Sequence, residues 1–183
     1  MAKIKNLYFI AIIPNVALRT IVKEFKEEMS KQFNAKHALK SQAHITLQMP
    51  FKRYEKEEAT LIEALENFSK NETKFEILLN GFDCFPPRVI FLKVENHKPI
   101  IGLHERLKKI LIDNLDFDKN ERTEKLHPHM TIATRDLKKE KFNLAWETFK
   151  EREFSVQFAT SSIFLLKHNG KFWEIFREFQ FGS

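Results

Sequence analysis

Apolar positions along this chain follow two rhythms, one of strands and one of helices. Residues 7–13 form an unbroken apolar run rich in isoleucine and aromatics, closed by Pro14 and Asn15, and predict a central strand. From Val16 to about Phe33, Leu18, Ile21, Val22, Phe25 and Met29 recur at spacings of three and four among Lys and Glu, which predicts an amphipathic helix. A basic connection over 36–41 leads into a strand of period two, Ala43-His44-Ile45-Thr46-Leu47, expected to end near Met49 ahead of Pro50. A helix over 56–68 and a strand over 75–79 follow, and Gly81 leads toward Pro86 and Pro87.

After those prolines the order starts again. A strand over Val89–Val94 precedes a helix over 99–113 with Ile100, Leu103, Leu107, Ile110 and Leu111 on one face. A polar loop over 116–125 then leads to a second strand of the same design, His129-Met130-Thr131-Ile132, followed by a helix over 136–150 and a strand over 154–158. Offsets within the two halves agree, since Phe9 lies 35 residues before His44 and Phe91 lies 38 before His129. This reads as an internal duplication, with repeats at 6–80 and 88–158. A hairpin over 162–178 closes the chain, with Asn169-Gly170 as the signal for a two-residue type I′ turn. Residues 1–183 are thus expected to form one domain of two pseudo-symmetric lobes, with the two His-Thr strands meeting at the axis and a cleft between them.

The duplicated pair carries the chemistry. A histidine and a threonine two residues apart share one face of a strand, while Ile45 and Leu47, or Met130 and Ile132, anchor it from behind. An imidazole with a pKa near 6.5 is stable in either protonation state, so His44 and His129 can divide a displacement at phosphorus between a base and an acid. General acid or base help of this kind is worth about 10² to 10⁴ in rate. Thr46 and Thr131 would donate hydrogen bonds to the non-bridging oxygens, where charge gathers. Such a mechanism calls for no nucleophilic side chain, metal or cofactor. One His-x-Thr strand alone would be an ordinary half-buried histidine; the second copy, at a matching place in the order of elements, gives the pattern its specificity.

Composition changes the picture only in part. The 183 residues are 43% hydrophobic and 31% charged, as in soluble globular proteins. A formal charge of +6 favours a polyanionic partner such as RNA. Cys84 is the only cysteine, which excludes an intrachain disulfide and suits a cytoplasmic setting. Lys3 and Lys5 ahead of residues 7–13 imitate a signal peptide, yet the run is short and Pro14 closes it without a cleavage pattern. No segment approaches the roughly 18 apolar residues of a membrane span. A monomer is the default expectation.

His44-Ile45-Thr46-Leu47 and His129-Met130-Thr131-Ile132 resemble the paired His-x-Thr-x motifs of the 2H phosphoesterase superfamily, and the chain is most similar to its 2′-5′ RNA ligase or RNA 2′,3′-cyclic phosphodiesterase branch. The likeness extends over nearly the full length, through Pro14, the Arg88-Val89-Ile90-Phe91 strand, the His127-Pro128 lead-in and the hairpin. It implies a bilobal α+β fold, two antiparallel sheets flanking a central cleft with helices on the outer faces. It also implies metal-independent opening of cyclic phosphodiesters or cleavage of 2′-5′ linkages, with His44, Thr46, His129 and Thr131 as the catalytic set. The expected substrates are RNA ends or cyclic nucleotides, and by resemblance the product is a 2′-phosphomonoester.

Other readings stand beside this one. The same cleft could bind RNA ends without turning them over, and 2′-5′ ligation is the reverse reaction in the same site. His44, His127 and His129 could instead be three ligands of a zinc ion. Lys36, Lys40, Lys52, Arg53 and Arg135 flank the motifs and are candidates for phosphate contacts. Tyr8, Phe51 and Trp173 are candidates for base stacking, while His37, His97, His104 and His168 read as surface residues.

Overall fold

The computed structural model describes residues 5–182; Lys3, in the basic start noted above, lies outside them. Strand β1 (Lys5–Ile12) leads into helix α1 (Val16–Phe33). Asn15 starts that helix by accepting a hydrogen bond from the Leu18 amide at 2.9 Å, and Asn34 ends it in a left-handed conformation with φ of 58°. A 3₁₀ turn (His37–Lys40) precedes β2 (Ile45–Tyr54), and a second (Glu55–Glu57) precedes α2 (Glu58–Ser69). Then come β3 (Phe75–Phe85), β4 (Val89–Val94), α3 (Lys98–Leu115) and β5 (His129–Ala133). Helix α4 (Lys139–Phe149), β6 (Ser155–Thr160), β7 (Ser162–His168) and β8 (Trp173–Gln180) complete the fold.

The α+β class holds, but the two sheets expected from the sequence are one. Eight strands form a single sheet in the order β6-β3-β4-β5-β2-β1-β7-β8, with every pair antiparallel. Its middle is narrow, because β2 and β5 are paired only at Ile45 and Met130. The strand closing the first expected repeat, β3, lies on the far side of that seam, between β4 and β6. A short turn at Pro86 and Pro87 makes β3 and β4 a hairpin, and strands joined so closely pair with each other. Hairpin β7–β8 adds to β1 on the other side.

Alternation along β1 separates the two faces. Tyr8, Ile10 and Ile12 join one core with Leu18, Val22 and Met29 of α1, Leu61 and Leu65 of α2, Leu103 and Leu107 of α3, and Phe142 and Phe149 of α4. Phe9, Ala11 and Ile13 point the other way and form a small second cluster with Leu166, Phe164 and Trp173. Ile45, Leu47, Met130 and Ile132 are fully buried in the helix-side core. Their alternates, His44, Thr46, His129 and Thr131, are half-buried on the sparsely covered face.

Local departures from expectation have local causes. Pro50 does not end β2; it lies in a bulge, where Tyr8 pairs with Phe51 and Ile10 with Gln48, so no ladder bond is asked of its nitrogen. Strand β3 likewise runs past Leu79 through a register shift in which Gly81 adopts φ of 71°. Asp136 does not open α4 but stands in the turn before it. The hairpin turn is wider than type I′: only Gly170 has positive φ, and Asn169 Oδ1 accepts from the amides of Lys171 (2.9 Å) and Phe172 (2.7 Å). Among the described residues no helix is long and apolar enough to cross a membrane.

The seam carries a stability prediction. Met130 is fully buried at the only β2–β5 pairing, so Met130→Ala should cost about 2–5 kcal/mol in urea unfolding. A loss below about 1 kcal/mol would mean that the seam is not held by this side chain.

Candidate active site

Antiparallel pairing at Ile45 and Met130 sets the geometry of everything around it. Counting outward in opposite directions brings Thr46 opposite His129 and His44 opposite Thr131. Each histidine therefore faces the threonine of the other strand across the seam, with all four side chains on the face away from Ile45 and Met130.

Both imidazoles are held in the same way. His44 Nδ1 lies 2.7 Å from the carbonyl oxygen of Gln42, and His129 Nδ1 lies 2.6 Å from that of His127, in each case two residues back. A carbonyl only accepts, so each Nδ1 carries the hydrogen and each Nε2 is left to meet a substrate. An aromatic ring braces each imidazole from the neighbouring strand: Phe9 lies 4.9 Å from His44 and Phe91 lies 4.9 Å from His129, centroid to centroid. The matched offsets of these phenylalanines in the sequence thus correspond to matched contacts.

A cavity of about 200 Å³ opens at the seam, lined by His44, Thr46 and Thr131 together with Phe9, Lys26 and Trp173. His129 does not line it; it stands on the same strand two residues from Thr131, near enough to His44 for their charges to repel. Lys40 and Arg135, expected at the rim, line the cavity, and so does His37, which the sequence had suggested was a surface residue. The loop bearing Arg135 is tied to the 3₁₀ turn bearing His37 by Asp136, whose Oδ2 accepts from the amides of Lys36 (2.7 Å) and His37 (2.9 Å). That clamp joins the chain before β2 to the chain after β5.

Lys26 is the residue that sequence reading missed. It sits on the buried face of α1, 3% exposed, and its Nζ donates to the Ser41 carbonyl at 2.9 Å. Burial pushes its pKa down to about 8, so near neutral pH the ammonium is charged at a cost of about 3 kcal/mol. Burial, and next the Lys26 charge, hold His44 down to about 4. His129 is also lowered, chiefly by burial and then by the charges of His127 and His97, while its bond to the His127 carbonyl pulls the other way. The pocket is therefore partly desolvated and positive, an environment whose chemistry suits an anion.

A family model described as the 2′-5′ RNA ligase superfamily matches residues 14–172. The chain belongs to that superfamily. The resemblance carried by the paired His-x-Thr strands is to this same family. A Bacillus licheniformis relative, named provisionally as a phosphoesterase, is 26% identical over 180 residues, covering 96% of this chain and 99% of that protein. A Bacillus pumilus protein of similar name is 29% identical over 102 residues, which are 55% of this chain and 57% of the relative's length. Escherichia coli LigT, solved with 3′-AMP, shares the fold with a TM-score of 0.71 at 15% identity, over 98% of this chain and 100% of that one.

In this superfamily member several sequence candidates lie elsewhere. Lys36, Lys52 and Arg53 do not line the cavity; Arg53 is engaged by Glu121 at 2.8 Å and lies 4.0 Å over the Phe117 ring. Tyr8 and Phe51 are core residues, leaving Trp173 as the aromatic candidate at the site. His104 is 1% exposed and donates from Nδ1 to the Leu47 carbonyl at 2.9 Å, so it is a buried support of β2 and not a surface residue. His97 packs on His127 and His168 on Trp173. Among the described residues no group of three or more His, Cys, Asp or Glu side chains converges as a metal site, so His44, His127 and His129 do not form the three-histidine set.

Replacing Lys26 tests this electrostatic frame. The folded pKa lies below the free-lysine value, so the folded state sheds its proton first and stability rises with pH from about 8 to about 10.4. Lys26→Met should therefore gain up to about 3 kcal/mol at pH 7, less the lost bond to Ser41, with the gain fading by about pH 10.4. The same change should raise the His44 pKa, read by NMR titration. A His44 pKa that does not move would separate the two groups electrically.

Proposed function

We propose that this chain is a metal-independent phosphodiesterase that hydrolyses 2′,3′-cyclic phosphate ends of RNA or nucleotides. The observation carrying this reading is the seam itself: two imidazoles with free Nε2 atoms, each opposite a threonine hydroxyl, beside a positive cavity. LigT structures with 3′-AMP, ATP, NADP+ and phosphate support a nucleotide or RNA end as the class of ligand for this fold.

In the reaction, neutral His44 takes a proton from water through Nε2 as the water oxygen bonds to phosphorus. Protonated His129 gives its Nε2 proton to the ribose 3′ oxygen as that P–O bond breaks. The product is a 2′-phosphomonoester, and the pair exchanges roles of charge, ending with His44 protonated and His129 neutral. Thr46 and Thr131 donate to the non-bridging oxygens, and Lys26, Lys40 and Arg135 offset the charge that gathers there. The base is assigned to His44 because burial, and next the Lys26 charge, hold it down to about 4. His129 is lowered by burial too, but its bond to the His127 carbonyl pulls the other way and favours the protonated ring, which suits it to the acid's part.

Purified protein in chelator should convert an RNA oligomer ending in a 2′,3′-cyclic phosphate. Activity that returns only with added zinc would contradict the metal-independent reading. His44→Ala or His129→Ala should lower kcat by about 10² to 10⁴, with the double variant little worse than the poorer single one. Thr46→Val and Thr131→Val should each lose about 1.5–3 kcal/mol of transition-state binding, or ten- to a hundredfold.

The pH profile is a separate test. With His44 required neutral and His129 protonated, kcat/KM should be bell-shaped, rising through about pH 4 and falling below histidine's usual value of about 6.5. Its maximum should lie on the acid side of neutrality. A profile flat between pH 5 and 9 would remove the paired-histidine mechanism.

A further inference from the structure

Beside the catalytic cavity lies a second one of about 420 Å³, and the two share Lys26, Lys40, Ser41 and Trp173 as a common wall. The first, at about 200 Å³, is below the roughly 300–1,000 Å³ of a site that encloses a drug-sized ligand, whereas the second falls within that range. Its walls combine two properties. One is aromatic and apolar, from Phe172 and Trp173 at the hairpin and from Val16 on the first turn of α1; Phe172 is 41% exposed and Val16 is 67% exposed. The other is positive, from Arg19, Lys23, Lys26 and Lys40, with no carboxylate among the lining residues.

Those cations are largely uncommitted. Lys23 pairs with Glu27, but Arg19 meets only the side-chain oxygen of Gln42, and its buried Nε has no hydrogen-bond partner among the described residues. Lys26 donates to a backbone carbonyl. A nucleobase is neutral and would use the aromatic wall alone. Unpaired cations at the junction match a second phosphate, one nucleotide away from the phosphate held between the histidines.

We propose that this second cavity holds the nucleotide preceding the reactive end, with its base against Phe172 and Trp173 and the linking phosphodiester at Arg19, Lys26 and Lys40. The inference rests on the cyclic phosphodiesterase reading and deepens it: the substrate is an oligonucleotide end, and a cyclic mononucleotide is a truncated version of it. Phe172 and Arg19 select substrate without touching the reacting phosphate, as neither lines the catalytic cavity.

The test compares kcat/KM for adenosine 2′,3′-cyclic phosphate with that for the dinucleotide ApA ending in the same cyclic phosphate, in wild type, Phe172→Ala and Arg19→Gln. Wild type should favour the dinucleotide by roughly ten- to a hundredfold, the usual reward of one stacked base. Both variants should lose most of that preference while handling the mononucleotide like wild type. The dinucleotide should also show the steeper salt dependence, by about 0.7 in the log–log slope for one added phosphate contact, and Arg19→Gln should shrink that excess. Equal rates on both substrates in wild type would overturn the second-nucleotide site and leave the phosphodiesterase reading intact. Variants that slow both substrates alike would assign the cavity to the terminal nucleotide instead and overturn the inference. No turnover of either substrate by wild type would sink the phosphodiesterase reading and this inference with it. Phe172→Ala removes an exposed side chain, so it keeps the comparison sound if Arg19→Gln disturbs the Gln42 contact.

Discussion

One backbone pairing, Ile45 with Met130, joins the two halves of an eight-stranded sheet and sets the register of every side chain at the seam. Strand side chains alternate, so a slip of one residue in either strand would turn its histidine into the core and its two aliphatics into the cavity. The register is protected on the inner side by burial of Ile45, Leu47, Met130 and Ile132. It is protected on the outer side by anchors beyond the seam: Gln48 donates to the Glu121 carbonyl at 2.7 Å and accepts from the Thr123 amide at 3.1 Å, and the Thr123 hydroxyl accepts from the Met49 amide at 2.9 Å. Side-chain bonds to the 116–128 loop thus hold β2 on the edge where β5 no longer pairs with it.

A narrow seam also explains why the site is there. Where two strands pair once and then diverge, the backbone opens room for a ligand without leaving a hole in the core. Asp136 closes the rim by joining the segment before β2 to the loop after β5. Lys26 then makes this opening electrically unusual. A buried ammonium with one carbonyl partner is costly to keep, and a bound phosphate would relieve it while tightening against two threonine donors in a poorly hydrated space. Under the proposed function, binding and catalysis would draw on the same electrostatic penalty.

Much of this was legible in the residues because the periods were clear. The order of strands and helices, the buried faces of both His-Thr strands and the correspondence of Phe9 with Phe91 are all written in alternation and spacing. Sheet topology was not, since the period of β3 does not say which neighbour it joins; the short Pro86-Pro87 connection decided it. Lys26 was hidden for a related reason. Among the lysines of α1 it looks like another solvated charge, and only the docking of the 37–41 segment over that helix buries it. His104 was misread in the same way, because a polar residue among Leu103 and Leu107 can reach a strand carbonyl that the sequence alone does not place beside it. Pro50 misled because a bulge, invisible in the pattern, removed the need for its amide hydrogen.

In the proposed mechanism two histidines, each fixed with its proton on Nδ1, present Nε2 to a single phosphate across the seam. The direct measurement is ¹⁵N NMR of the imidazole nitrogens at pH 7, with and without inorganic phosphate. Both His44 and His129 should be in the Nδ1–H form when free, and both Nε2 signals should move together, with one saturation curve, as phosphate binds. An Nε2–H form at either histidine, or a response confined to one of them, would contradict the shared site.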